Sequence, residues 1–401
     1  MARNNRSKQS ECPVCQSNSV TMFLKREQVP VHQNLVMKNQ RSALEIPRGN
    51  LNLAVCEECG FIFNQAFEPS TLSYGEDYDN TQTCSPLFNK YIDGLVEHLI
   101  FEKGIQNCRI VEVGCGKGLF LRKLTEAGGN TGYGFDPSYV GPATDLDGRL
   151  HFEKRYYGPE CTEISADVIV CRHVIEHVPN PLDLLHTIRQ ALANSPRAKV
   201  FFETPAVEWI LRNQVIWDFF YEHCSYFSSD SLTTAFEMTG FKIEGIQKVF
   251  GGQYLWMEAT VSIEEPARVT RKPGLIPNLA KQFALSERKL KGVLGDRLQG
   301  LAARGKVALW GAGAKGVTLA NLVDPEREWI ACVVDLNPGK QGHYIPGTGH
   351  PIVAHQELAK YDVETVILMN PNYREENLAL LQESYLNVKL IGLMDLIRRD
   401  A

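Results

Sequence analysis

The stretch Ile110-Val111-Glu112-Val113-Gly114-Cys115-Gly116-Lys117-Gly118 constrains this chain more than any other. A β-branched run goes straight into a turn with alternating glycines, and an amphipathic pattern (Leu119, Phe120, Leu121, Leu124) follows at once. Glycines let the backbone take positive φ and approach a ligand with no Cβ in the way. The turn sits at the carboxyl end of a strand, where open α/β sheets bind ligands. By itself it implies a nucleotide-like cofactor.

The surrounding pattern gives the fold class. Strand candidates lie at 109–113, 132–135, 167–171 and 199–203, with helical patterns at 118–127, 181–193 and 208–220. Such alternation specifies a parallel, doubly wound α/β sheet. A helix over 229–240 then leads to two strands, 242–250 and 253–261, joined by Gly251-Gly252 as a terminal antiparallel hairpin. Upstream, the spacing of Leu87, Tyr91, Leu95 and Leu99 predicts a helix over 86–102. A charged, proline-containing linker (263–275) and a polar helix (277–303) follow. The alternation then restarts at 306–310, 329–334, 364–369 and 388–393. A chain of 401 residues is too long for one ordinary core. The expected division is 1–80, 81–265 and 276–401, the last with its connecting helix.

The first segment is turn-rich and too sparsely apolar for a core of its own. Cys12-Pro-Val-Cys15 and Cys56-Glu-Glu-Cys59-Gly60 bracket it. These pairs supply four thiolates, enough for one closed tetrahedral zinc site, and the chain between them must form its own hairpin or loop. A closed site leaves no place for water, so the zinc is expected to be structural; the alternatives are redox dithiols or unligated cysteines. The tyrosine-rich stretch from Phe67 to Tyr78 reads as a surface loop or as a cleft wall carrying phenols.

Asp136, in Gly134-Phe135-Asp136-Pro137, ends the second strand about twenty residues beyond the glycine turn, where a carboxylate can accept both ribose hydroxyls. The plainer role is a turn cap. The Glu-x-Gly-x-Gly-x-Gly turn resembles motif I of the class I S-adenosylmethionine (SAM) methyltransferases. Its alternating glycines differ from the Gly-x-Gly-x-x-Gly of dinucleotide dehydrogenases. That resemblance implies a SAM pocket formed by Glu112, Gly114, Gly116, Gly118, Asp136 and Pro137, edged by Arg172 and His173. His173-x-x-Glu176-His177 also matches a zinc-protease pattern, but it leaves a strand end rather than lying within a helix, which disfavours catalytic zinc.

Tyr221-Glu222-His223-Cys224-Ser225-Tyr226-Phe227 crowds charged and aromatic residues with no amphipathic period. A histidine has a pKa suited to proton transfer near neutrality, and an adjacent glutamate can orient it. The plainer role is a helix-end histidine beside a packed tyrosine. Further on, Trp310-Gly311-Ala312-Gly313-Ala314-Lys315-Gly316 follows a strand and opens a helix, and Asp335 ends the next strand, a dinucleotide fingerprint. Trp310, Lys315, Asn370 and Asn372 are cleft candidates there.

Taken together, the Cys₄ segment, the glycine turn, the Glu-His-x-Ser-Tyr-Phe stretch and this last motif resemble the nucleotide-sugar C-methyltransferases. The family implies a zinc-binding N-terminal domain, a SAM domain and a C-terminal Rossmann-like domain that helps form the sugar-nucleotide cleft. It also implies that His223 is the general base, assisted by Glu222. The family tyrosine of this motif falls on Phe220, and Tyr221 takes the intervening place. A second family tyrosine, from before the SAM domain, maps to Tyr78. Tyr221 or Tyr78 would then donate a hydrogen bond to the enolate oxygen. The expected activity is SAM-dependent C-methylation of a nucleotide-linked keto sugar, by a monomer or homodimer. Alternatives are O- or N-methylation of another small molecule, an NAD-dependent sugar oxidoreductase, or a zinc-ribbon binding module.

A net charge of −5 without a clustered basic run argues against nucleic acid as partner. The polar start predicts no signal peptide, and no apolar run is long enough for a membrane span. Eleven cysteines without a disulfide-like framework fit a reducing, cytoplasmic setting.

Overall fold

The computed structural model describes residues 11–262 and 269–398. Part of the expected linker, 263–268, lies outside the described residues, as do the first ten. The rest is organised by three sheets.

The first is built on a long hairpin, Val20–Pro30 (β1) and Arg48–Cys56 (β2), continued by Ile62–Asn64 (β3). It has no separate core. Leu24, Leu51, Leu53 and Val55 pack with Ile216, Trp217, Phe219 and the helix Ile276–Ala302. Its other buried residues, Ala54, Phe61 and Phe63, join the middle sheet's core.

The middle sheet contains Arg109–Val113 (β4), Thr131–Phe135 (β5), Thr144–Asp145 (β6), Leu150–Glu153 (β7), Val168–Arg172 (β8) and Lys199–Pro205 (β9). Ser225–Tyr226 (β10) leaves it to pair with β3 in the first sheet. Phe241–Val249 (β11) and Tyr254–Val261 (β12) complete it in the order β11-β12-β9-β8-β4-β5-β7-β6. β7, β5, β4, β8 and β9 run parallel, whereas β12 is antiparallel to β9 and β11 to β12. This is the class I methyltransferase sheet with its terminal hairpin, as the sequence pattern led us to expect. β8 is apolar on both faces (Val168, Ile169, Val170, Cys171 all buried), as a central parallel strand must be. The edge strand β11 carries exposed Lys242 and Lys248, which discourage further pairing.

The third sheet is wholly parallel. Lys306–Trp310 (β13), Ile330–Val334 (β14), Ile352–Val353 (β15), Val363–Leu368 (β16) and Lys389–Gly392 (β17) stand in the order β15-β14-β13-β16-β17. Turns at the carboxyl ends of β4 and β13 face one cleft.

Two helices differ from expectation. The pattern over 208–220 is helical only at Val207–Arg212. Gln214 takes φ of +53°, and β-branched Val215 and Ile216 turn inward instead, so a single turn at Ile216–Asp218 follows. Tyr221, Glu222 and His223 therefore lie in non-helical chain before β10, not at a helix end. The helix predicted over 86–102 ends as α-helix at Glu97, and His98–Glu102 forms a wider turn.

Gly316 shows how tightly the third sheet's turn is closed. A Cβ there would stand 1.9 Å from the Gly311 carbonyl oxygen. Glycine to alanine in a free helix stabilises by about 0.8–1 kcal/mol. Gly316→Ala is expected to reverse that sign and destabilise by about 1–3 kcal/mol, as overpacking does, measured by chemical denaturation.

Candidate active site

Two cavities meet in the cleft. The first, of about 340 Å³, lies over the carboxyl ends of β4, β5 and β8. Glu112, Gly114, Gly116, Asp136, Pro137, Arg172 and His173 all line it, with Tyr74 and Tyr78 across from them. Asp136 accepts the Gly116 amide through Oδ2 (2.8 Å) and the Ser138 amide through Oδ1 (2.7 Å). That lock shapes the glycine turn. A Cβ on Gly114 would meet Val174 Cγ2 at 2.1 Å, so only glycine fits. Gly118 does not line the cavity. It takes φ of +78° ahead of the helix Leu119–Gly128, and a Cβ on it would meet the Phe152 ring at 2.6 Å. Its role is packing, which corrects its expected place in the pocket wall.

The charged wall has atoms to spare. Arg172 Nε donates to Glu203 Oε2 (2.7 Å), and its guanidinium lies 4.5 Å over the Phe120 ring. Tyr91 donates to the other Glu203 oxygen. Burial works against the Glu203 charge, yet Arg172 and His173 hold its pKa below the usual range. Buried Glu112 Oε2, Arg172 Nη2 and His173 Nε2 have no hydrogen-bond partner. Buried polar atoms are costly unless satisfied. An orphan carboxylate oxygen and an orphan guanidinium nitrogen in one cavity fit the ammonium and carboxylate of an amino-acid-bearing cofactor. Burial pushes the Glu112 carboxyl up to about 7, with Arg172 opposing.

The second cavity, of about 230 Å³, runs from there to the third sheet. Tyr78, His173 and His177 line both cavities. His223 is in the second, its ring 4.7 Å from that of His177 and perpendicular to it, and 4.2 Å from Phe220. Burial, then the neighbouring His177, His173 and Lys315 charges, drives the His223 pKa well below 6.5. The imidazole is thus held neutral. Tyr74 and His177 Nδ1 share a hydrogen bond of 2.9 Å. Burial and then the Glu222 charge raise the Tyr74 and Tyr78 phenols well above 10, so both stay protonated. Glu176, His177 and His223 have potential ligand atoms within 4.8 Å of one another. The Glu176 oxygens, however, already face Thr204 Oγ1 (3.0 Å) and His173 Nδ1 (3.3 Å).

Two expected catalytic residues sit elsewhere. Tyr221 lines neither cavity. Its hydroxyl accepts the Glu68 amide (2.9 Å), and its ring fills the space beside Gly49 and packs against Phe67 at 5.3 Å. It is a packing residue of the first sheet. Glu222 is fully buried and turned from His223, its Oε1 accepting from His32 Nδ1 (2.9 Å) and the Gln33 amide (3.1 Å). It therefore does not assist His223 by direct contact. His32 carried no motif and was invisible in the sequence. Tyr74 lay in the stretch already marked as phenol-bearing.

At the far end the cavity reaches Trp310, Gly311, Gly313, Lys315, Lys340 and Asn370. Asp335 Oδ2 accepts the Ala312 amide (2.8 Å), the same lock that Asp136 makes. Lys315 is committed to Asp218 (2.8 Å) and Gln253 (3.0 Å). Asn372 is not in the wall; it donates to the Phe250 carbonyl. Lys340 is buried, with Nζ near the uncharged Asn34 Oδ1 (3.2 Å) and Ala312 carbonyl (3.3 Å). Distant from these cavities, Cys12, Cys15, Cys56 and Cys59 are buried with their sulfurs within 4.8 Å of one another.

Comparison with known proteins finds two domain families along the chain. Residues 86–245 match the methyltransferase domain family and residues 271–388 the C-methyltransferase C-terminal domain family. C-methyltransferase NovU of Streptomyces niveus is 26% identical over 348 residues, 81% of either chain. The chain belongs to the SAM-dependent C-methyltransferase family. A ubiquinone biosynthesis O-methyltransferase from Hydrogenovibrio crunogenus is 30% identical over 109 residues, but these span only 44% of that protein and 25% of this one. A solved O-methyltransferase family structure from Burkholderia thailandensis overlays 45% of this chain and 57% of that one at 15% identity, with a TM-score of 0.36. Among the described residues no helix is long and apolar enough to cross a membrane.

In this C-methyltransferase, SAM would sit in the larger cavity, with Glu112 and Arg172 available to its amino-acid end and Asp136 to its ribose. A protonated Glu112 cannot pair with an ammonium group. With its pKa at about 7, SAM affinity should weaken roughly tenfold as pH falls from about 7.5 to 6. Glu112→Gln should flatten that dependence, both read by calorimetry.

Proposed function

We propose that this C-methyltransferase methylates a carbon α to the ketone of a nucleotide-linked sugar. The observation that carries the reading is the span of the second cavity. One end holds His223, His177 and Tyr78 beside the cofactor cavity. The other holds the glycine turn, the N-terminus of the helix Ala314–Val323 and buried Lys340. Helix N-termini favour phosphate groups, and a buried ammonium with only uncharged partners calls for an anion. A ligand with a sugar at one end and a diphosphate at the other suits both.

Neutral His223 is the base: its ring nitrogen takes the α proton, and the C–H bonding pair left on carbon is delocalised onto the ketone oxygen as an enolate. Tyr78, kept protonated, donates a hydrogen bond to the oxygen as charge develops there. SAM, when bound, supplies an electrophilic methyl group. Tyr74 holds His177 beside His223. Glu112, Gly114, Gly116, Asp136, Pro137, Arg172 and His173 hold the cofactor.

The four cysteines are proposed to hold a structural Zn²⁺. Cys12–Cys59 and Cys15–Cys56 sulfur distances are 3.7 and 3.5 Å. A tetrahedron with Zn–S bonds of about 2.3 Å has edges of roughly 3.8 Å. One zinc per chain is expected by elemental analysis, with chelation unfolding the protein rather than inhibiting the folded form.

A panel of nucleoside-diphosphate keto-hexoses with labelled SAM tests the substrate. The accepted sugar should also gain deuterium at the α carbon in D₂O. Absence of such exchange, with methyl transfer to oxygen or nitrogen, would sink the reading. His223→Ala should cut turnover by about 10²–10⁴-fold and leave SAM binding intact. Because burial lowers the His223 pKa, its neutral form persists as the solution is acidified. At saturating SAM, kcat/KM for the sugar should hold from about pH 7.5 to 6 and fall only well below 6.5. An acid limb centred at the ordinary histidine value would remove His223 as the base.

A further inference from the structure

His32 lies just past the end of β1 and is 4% exposed. Its two ring nitrogens face opposite demands. Nδ1 stands 2.9 Å from Glu222 Oε1, a carboxylate that can only accept. Nε2 stands 3.2 Å from the Ser73 amide, a group that can only donate. The ring therefore carries its proton on Nδ1 and accepts through Nε2. It also packs edge-on against Tyr74 (5.7 Å) and Tyr78 (6.5 Å), the phenols that close over the cleft. The far end of that strap is tied by backbone bonds, Val36 to Asp77 and Asp79 to Asn34, both 2.9 Å. The near end, at Ser73, has His32.

Glu222 gains as much from this residue as the strap does. Its carboxylate is buried, and a buried charge is tolerated only when hydrogen-bonded. His32 and the Gln33 amide supply those bonds to Oε1, and Oε2 is without a partner. The same charge helps keep the Tyr74 and Tyr78 phenols protonated.

We propose that His32 is a positioning residue that acts in two directions: its Nδ1–H fixes the Glu222 carboxylate, and its Nε2 pins Ser73 and so the strap that carries Tyr74 and Tyr78. The catalytic consequence rests on the function proposed above; the anchoring does not.

The two arms can be cut separately. Asparagine places an N–H near the Nδ1 position and nothing at Nε2. Glutamine reaches the Nε2 position and leaves Nδ1 empty. In His32→Asn, hydrogen exchange over residues 73–76 should quicken about tenfold or more, and kcat for the sugar nucleotide chosen by the panel should fall about tenfold, because the loosened strap carries Tyr78. In His32→Gln, exchange over 73–76 should stay near wild type and kcat within about threefold, while the Gln33 amide, the remaining partner of Glu222 Oε1, should exchange about tenfold faster or more as the carboxylate loses its Nδ1–H. Identical patterns in the two variants, or unchanged exchange and kinetics in His32→Leu, overturn the proposal. Circular dichroism identifies a variant that does not fold. In that case the wild-type Ser73 amide decides, slow exchange supporting the anchor and exchange at the unstructured rate refuting it. Exchange needs no sugar, so a panel without a substrate defeats the proposed function and leaves the anchor to be judged by exchange alone.

Discussion

The antiparallel pairing of Ser225 and Tyr226 with Phe63 and Ile62 joins the parts of this protein that chemistry needs together. It places the segment carrying His223 between the cysteine-bearing sheet and the middle sheet. Further ties act on the same segment. Arg26, from the first hairpin, donates to the carbonyls of Ile216 and Phe219 at 2.7 and 2.8 Å. The Tyr226 hydroxyl closes on the Phe220 backbone in both directions. A segment without helix or long strand is thereby held rigidly, which is what a positioned base requires. The first sheet lacks a core of its own, so its order and that of the histidine segment depend on each other.

The same local device appears twice around the cleft. Asp136 locks the Gly116 amide and Asp335 locks the Ala312 amide. An aspartate that follows β5 in the middle sheet and β14 in the third holds the preceding glycine turn open toward the cleft. The two turns then differ in their neighbours. Around the first are a buried carboxylate and a buried guanidinium with unused atoms, Glu112 and Arg172. Near the second is Lys340, bonded to uncharged oxygens. Burial sets the chemistry here: it raises Glu112 toward neutrality, keeps the phenols protonated and holds His223 as a free base.

Most of the architecture was legible in the sequence because parallel sheets are written in local patterns. β4, β8, β13 and β16 lie within a residue or two of the apolar runs that predicted them. The helix over 208–220 was overread, because Val215 and Ile216 continue an apolar pattern whose burial is satisfied without a helix. The site was legible where motif and fold coincide, at Glu112, Gly114, Gly116 and Asp136. It was misread where neighbours in sequence point apart. Tyr221, Glu222 and His223 are consecutive, but Tyr221 and Glu222 lie in a turn that sends both side chains away from the cleft. Tyr221 and Glu222 accordingly serve the first sheet, and only His223 reaches the cleft.

The succession of strands and helices along the chain, the glycine turns, the cysteine pairs and the histidine-bearing stretch follow from the amino-acid sequence alone. They depend on periodicity, backbone permissiveness and ligand chemistry over short spans. Tertiary structure alone decided that His32 faces Glu222, that Tyr74 meets His177, and that Lys340 lies buried beside a turn distant from it in sequence. These contacts join residues far apart along the chain, and no local pattern encodes which polar atoms folding will leave facing one another away from water.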